Sequence, residues 1–257
     1  MKTITRTEIN NQCLLNKVPE VTFFFWVIKI MATTVGETAA DFLNVNLDFG
    51  LSNTSYIMAA LLLAALLVQL STRKYIPWIY WLSVVLISVV GTLISDNLVD
   101  NLGVSLQTTT MAFSGALAVT FIAWHTAEKT LSVHTVFTIR RELFYWLAIL
   151  FTFALGTSAG DLVAEHLQLG YLPSAAIFGS AIVVVAIAHY VFRLNGILAF
   201  WISYVLTRPL GASFGDFLSQ PAANGGLGLG ATETSTLFLA AILGMVVYQT
   251  IGRKNSY

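Results

Sequence analysis

The protein has 257 residues, 56% of them hydrophobic and only 10% charged, with 13 basic and 13 acidic side chains and no net charge. A soluble domain carries about 25% charged residues. A chain this poor in charge cannot cover a water-facing surface, and its mean hydropathy of +0.76 makes the lipid bilayer its natural solvent and partner. Zero net charge argues against a nucleic-acid partner, and the lone Cys13 permits neither an intrachain disulfide nor a cysteine metal site.

In chain order, residues 1–18 are mixed and polar, with Lys2, Arg6 and Lys17. They lack the apolar core of a cleaved signal peptide and suit a short cytoplasmic tail. Eight stretches are long and apolar enough to cross a bilayer, at about 20 residues each. They cover roughly 20–43, 54–72, 78–100, 107–127, 142–165, 173–192, 196–218 and 234–251. Eleven of the thirteen Lys and Arg residues fall in the two tails or in the connections that lead from an even to an odd stretch. The four odd-to-even connections, including the Gly-rich SQPAANGGLGLGATET, contain none. By the positive-inside bias both termini are expected in the cytoplasm.

Self-comparison adds the most. Four segments align without gaps: ATTVGETAAD (32–41), GTLISDNLVD (91–100), GTSAGDLVAE (156–165) and GASFGDFLSQ (211–220). Each carries a first acid, at Glu37, Asp96, Asp161 and Asp216, and a second polar position four residues on, at Asp41, Asp100, Glu165 and Gln220. A tryptophan precedes the first acid by 15 residues in three units (Trp81, Trp146, Trp201) and by 11 in the first (Trp26). Near the ends of the even stretches stand Gln69, His125, His189 and Gln249. The fold class expected is an all-α polytopic membrane bundle of eight transmembrane helices. It forms four parallel helical-hairpin repeats (about 19–74, 75–139, 140–194 and 195–251) with pseudo-fourfold or nested pseudo-twofold symmetry, odd helices central and even ones peripheral. The single membrane domain spans 19–251, and 252–257 form a second cytoplasmic tail.

On these tryptophans and acidic motifs the chain resembles a family of bacterial membrane proteins known mainly as a repeat of unknown function. In that family four tandem copies, each with two transmembrane segments, fill the chain. The resemblance covers about 19–251 and implies the fold and a location in the bacterial inner membrane. It implies little about activity.

The chemistry therefore rests on the residues. Positions i and i+4 share a helix face, so Glu37/Asp41, Asp96/Asp100 and Asp161/Glu165 pair carboxylates that repel unless a cation, a proton or a basic side chain lies among them. Burying such charge in a bilayer is costly and marks an interior or a water-filled cavity. Oxygen-only ligands favour Mg²⁺, Ca²⁺ or Mn²⁺, with Glu37, Asp96, Asp161 and Asp216 as the metal ligands and hydroxyls such as Thr33, Thr92 and Thr157 as added oxygens. A plainer alternative is that the acids are solvated helix ends.

Lys29 and Arg208, both eight residues before an acid, suit internal counter-charges. His125 and His189 are candidates for a cytoplasmic-side proton relay, or plain headgroup-facing histidines. The tryptophans near the helix starts are expected as interface anchors, with Trp26 in the core. Pro209 predicts a kink in the seventh helix.

The expected function is transport of a cation, most simply a divalent one, coupled to protons. A membrane-embedded sensor or assembly subunit is the alternative, and a metal-dependent intramembrane enzyme a more distant one, because no HExxH, GxSxG or P-loop pattern is present. No catalytic residue or resident cofactor is expected, the divalent cation being cargo, and homo-oligomerisation is left open.

Overall fold

The computed structural model describes residues 16–46 and 49–254. Cys13, Lys2 and Arg6 lie outside them. Eight long helices run in order: α1 (Phe23–Asp41), α2 (Leu51–Ser71), α3 (Pro77–Asp96), α4 (Leu106–Glu128), α5 (Ile139–Asp161), α6 (Tyr171–Tyr190), α7 (Gly196–Ser219) and α8 (Ala231–Lys254). All eight are long and apolar enough to cross a membrane, and the described residues contain no strand. The helix starts are set locally. Side-chain oxygens of Thr22, Ser105, Thr138 and Asn195 accept hydrogen bonds from first-turn N–H groups of α1, α4, α5 and α7, and Pro77 opens α3 where its missing N–H costs nothing. The seventh helix continues through Pro209.

The odd helices make a closed ring, α1 against α3, α3 against α5, α5 against α7 and α7 back against α1. Each even helix packs mainly on the odd helix that follows it, not on its own hairpin partner: α2 on α3, α4 on α5, α6 on α7 and, closing the circle, α8 on α1. The packed unit is thus offset by one helix from the unit of sequence. Burial follows this plan, with 56–72% of each odd span buried against 11–22% of each even span. Even helices such as α2 are apolar all round and turn most of that surface outward.

Lipid tails are as apolar as leucine, so close backbone approach must hold the ring together. A glycine makes the closest approach at each interface. A Cβ on Gly36 of α1 would overlap Ser88 of α3, one on Gly91 of α3 would overlap Phe153 of α5, one on Gly156 of α5 would overlap Arg208 of α7, and one on Gly211 of α7 would overlap Thr33 of α1.

At the end where the odd helices begin, each contributes an aromatic–tryptophan dipeptide: Phe25–Trp26, Tyr80–Trp81, Tyr145–Trp146 and Phe200–Trp201. Within each pair the rings meet edge to face at 5.2–5.3 Å. Between helices, Phe25 lies 5.7 Å from Trp81, Tyr80 5.5 Å from Trp146, Tyr145 6.2 Å from Trp201 and Phe200 5.6 Å from Trp26. The eight rings form an unbroken collar with favourable aromatic geometry throughout. This corrects the expectation of interface anchors. Trp81, Trp146 and Trp201 are buried in the bundle, while Trp26 is only half-buried.

Beside the collar, Lys17 is also buried. Its ammonium donates to Glu142 at 2.6 Å and to the Leu70 carbonyl at 3.1 Å, and Gln69 donates to the other Glu142 oxygen at 3.0 Å.

Candidate functional site

The repeated sequence positions become layers of the ring. Eight residues before each acid stand Lys29, Ser88, Phe153 and Arg208, and four before it Thr33, Thr92, Thr157 and Ala212. Arg208 reaches across the bundle and contacts all three other odd helices. Its guanidinium donates to Glu37 at 2.7 Å, to the Thr157 hydroxyl at 2.7 Å, to the Thr92 hydroxyl, and to the Thr33 carbonyl at 3.4 Å. It is fully buried, and the Gly156 backbone beneath it leaves the space its side chain needs.

Lys29, also fully buried, takes a different environment. Its ammonium lies 4.1 Å from the Phe153 ring centre and 4.2 Å from that of Tyr204, with no hydrogen-bond partner. The ring faces supply its electrostatic contact. It sits between the collar and Arg208, because Tyr204 also packs on Phe25, Phe200 and Trp201.

Beyond Arg208 the first acids converge. Carboxylate oxygens of Glu37, Asp161 and Asp216, from three different helices, all lie within 4.8 Å of one another. Asp96, from the fourth, stands within electrostatic reach of Glu37, Asp161 and Asp41. Glu37 and Asp216 are each only 7% exposed. Among the described residues, Arg208–Glu37 is the single ion pair in this tier, and the carboxylates of Asp96, Asp161 and Asp216 accept no hydrogen bond. One basic group, Arg208, therefore reaches this tier of four carboxylates, while Lys29 stays among the aromatic rings.

The second tier is looser. Asp41 and Gln220 are half-buried, whereas Asp100 and Glu165 are exposed, Glu165 accepting a hydrogen bond from Tyr171 at 3.3 Å. Here α1, α3 and α5 each widen into a five-residue π-helical turn, Phe42–Asn46, Asn97–Asn101 and Leu162–His166. Such turns are rare and gather at functional sites. The seventh helix lacks one and ends at Ser219.

His125 and His189 are not part of this assembly. Both lie near the opposite ends of the even helices and line lateral grooves. Nor did the sequence reading single out the aromatic residue before each tryptophan, although the Phe-Trp and Tyr-Trp dipeptides are visible there. Tyr204, 12 residues before Asp216, shares its register only with Phe25 before Glu37, and that pairing does not reveal its contact with Lys29.

Four stretches, residues 24–75, 79–130, 144–195 and 199–255, match the family described as Repeat of Unknown Function (DUF347). The chain belongs to that family. Each match takes in one odd helix and the even helix after it, so the family's repeat is the hairpin of sequence rather than the packed pair of the fold. No curated protein and no solved structure matches the chain.

Proposed function

We propose that this membrane protein transports a hard inorganic cation, most simply a divalent one, and exchanges it for protons. The observation that carries the reading is the tier of Glu37, Asp161 and Asp216. Buried carboxylates this close are compensated by a cation, by protons or by a basic group, and the one basic group that touches them, Arg208, is engaged with Glu37.

The spacing fits. Oxygens on opposite sides of Mg²⁺ lie about 4.2 Å apart and around Ca²⁺ about 4.6–5.2 Å, twice the respective bond lengths. The cluster spans no more than 4.8 Å, and its ligands are all carboxylate oxygens, with Asp96 of α3 in electrostatic reach. A bound divalent cation or protons neutralise the same carboxylates, so the two compete for one site. Arg208 ties Glu37 to three neighbouring helices, so loading the cluster acts on the whole ring.

Access is one-sided. Exposed Asp100 and Glu165 lead to the cluster, while buried aromatics close the ring on the other side. On the orientation expected from the basic connections, the open side faces away from the cytoplasm of a bacterial cell, and a reporter fused after Tyr257 reads cytoplasmic. The deciding measurement is flux into liposomes across Mn²⁺, Mg²⁺, Ca²⁺, Na⁺ and H⁺. The wild type should move one or more of these cations with counter-movement of protons, and Asp161→Asn with Asp216→Asn should reduce flux to that of empty vesicles while the protein still inserts and folds. Undiminished flux in the folded double variant would remove the mechanism.

A further inference from the structure

A groove of about 550 Å³ opens at the collar end of the bundle, between α4 and the first half of α7. Its walls are Phe121, Leu198, Trp201, Ile202 and Val205, and its mouth carries His125, Lys129 and Asn195. The mouth is built to be electropositive. Lys129 closes α4 in a left-handed conformation (φ 59°), its N–H bonded to the His125 carbonyl. Neighbouring Glu128 is engaged by Arg140 and Arg141, and Lys129 makes no ion pair among the described residues. Asn195 caps α7, whose N-terminus adds positive helix-dipole character at the same place. The floor is fixed by Trp201, whose indole N–H donates to the Leu131 carbonyl at 2.9 Å.

A second groove with a histidine in its lining lies one step round the ring. Between α6 and α1, this groove of about 390 Å³ is lined by His189, Tyr190, Val185 and Ala186 and backed by Trp26 and Phe200. Arg193, four residues after His189, also takes the left-handed conformation (φ 57°) but does not line that groove.

An apolar slot that opens sideways on a membrane-spanning helix, with an unpaired cation at its rim, matches a two-part ligand. We propose that the α4–α7 groove binds an anionic phospholipid, its phosphate at Lys129 and His125 and one acyl chain along Leu198, Ile202 and Val205 against Trp201. Basic pockets between membrane helices recognise anionic headgroups in this way. Trp201 belongs to the collar, so the bound chain braces the ring from outside. The inference is independent of the cation reading.

The test uses the full-length protein in detergent, stripped of lipid. Native mass spectrometry and thermal stability are followed with phosphatidylglycerol, with phosphatidylcholine of the same chains, and with inorganic phosphate. Phosphatidylglycerol should bind saturably and raise the melting temperature, and the other two should not. Lys129→Asn keeps a residue that tolerates the left-handed position and should weaken phosphatidylglycerol binding about fivefold. Leu198→Trp, which fills the slot from its exposed side, should also weaken it, and Lys74→Asn, an exposed basic residue outside the groove, should not. Equal binding of both lipids, protection by phosphate alone, or equal effects of the Lys129 and Lys74 variants would each overturn the proposal.

Discussion

At one end of the helix ring, aromatic pairs from four helices lean on one another in a continuous circle, and the buried charge beside them, Lys17 with Glu142, is balanced. At the other, carboxylates from the same four helices face each other with one ion pair among them. Both ends repeat a short sequence feature four times. The difference lies in what the repetition does. Aromatic rings brought together attract and need nothing further, whereas carboxylates brought together repel and call for a partner that, among the described residues, only Glu37 finds, in Arg208.

That contrast is sharpest at the two buried basic residues. Arg208→Met would strand Glu37 and release the Thr92 and Thr157 hydroxyls, at about 3–5 kcal/mol of stability measured by unfolding in detergent. It should also abolish flux in whatever protein folds. Glu142→Gln leaves Lys17 buried without its anion and should cost up to about 3 kcal/mol, the Leu70 carbonyl and Gln69 offsetting part of the loss. Its flux should be unchanged once folded. Equal loss of flux in both variants would break the distinction between a balanced structural pair and a functional one.

The inner and outer helices should differ in the same direction. Gly91→Ala places a methyl in the Phe153 side chain across the α3–α5 contact and should cost about 1–3 kcal/mol. Gly115→Ala on peripheral α4 meets no neighbouring atom, and should be neutral or stabilising by up to about 1 kcal/mol. A similar loss at both positions would mean that the even helices hold the bundle as tightly as the ring does.

Spans, repeats and the first-tier acids were legible in the sequence because each depends on local composition or on spacing along one helix. Lys17 suits a cytoplasmic tail by sequence and is buried in the fold, because its partner Glu142 lies 125 residues away. The tryptophans were misplaced for a related reason. A tryptophan near a helix end suits a membrane interface or a bundle core equally, and only the neighbouring helix decides which. Lys29 and Arg208 are equivalent in the repeat, yet one lies among aromatic rings and the other among oxygens, because the next helices offer Phe153 and Tyr204 to the first and Thr92, Thr157 and Glu37 to the second.

By itself, the sequence determined that eight helices cross a membrane as four hairpins and that an acid recurs at one depth in each, since hydropathy and periodicity are properties of single segments. The repeat pattern already points to central odd helices; the tertiary structure decided the order in which they close the ring, that each even helix packs on its successor, and that three acids from different helices come within 4.8 Å. Helices that are apolar all round carry no pattern naming their neighbours. Inside a bilayer, that choice falls to small-residue contacts and polar pairing between segments far apart in the chain.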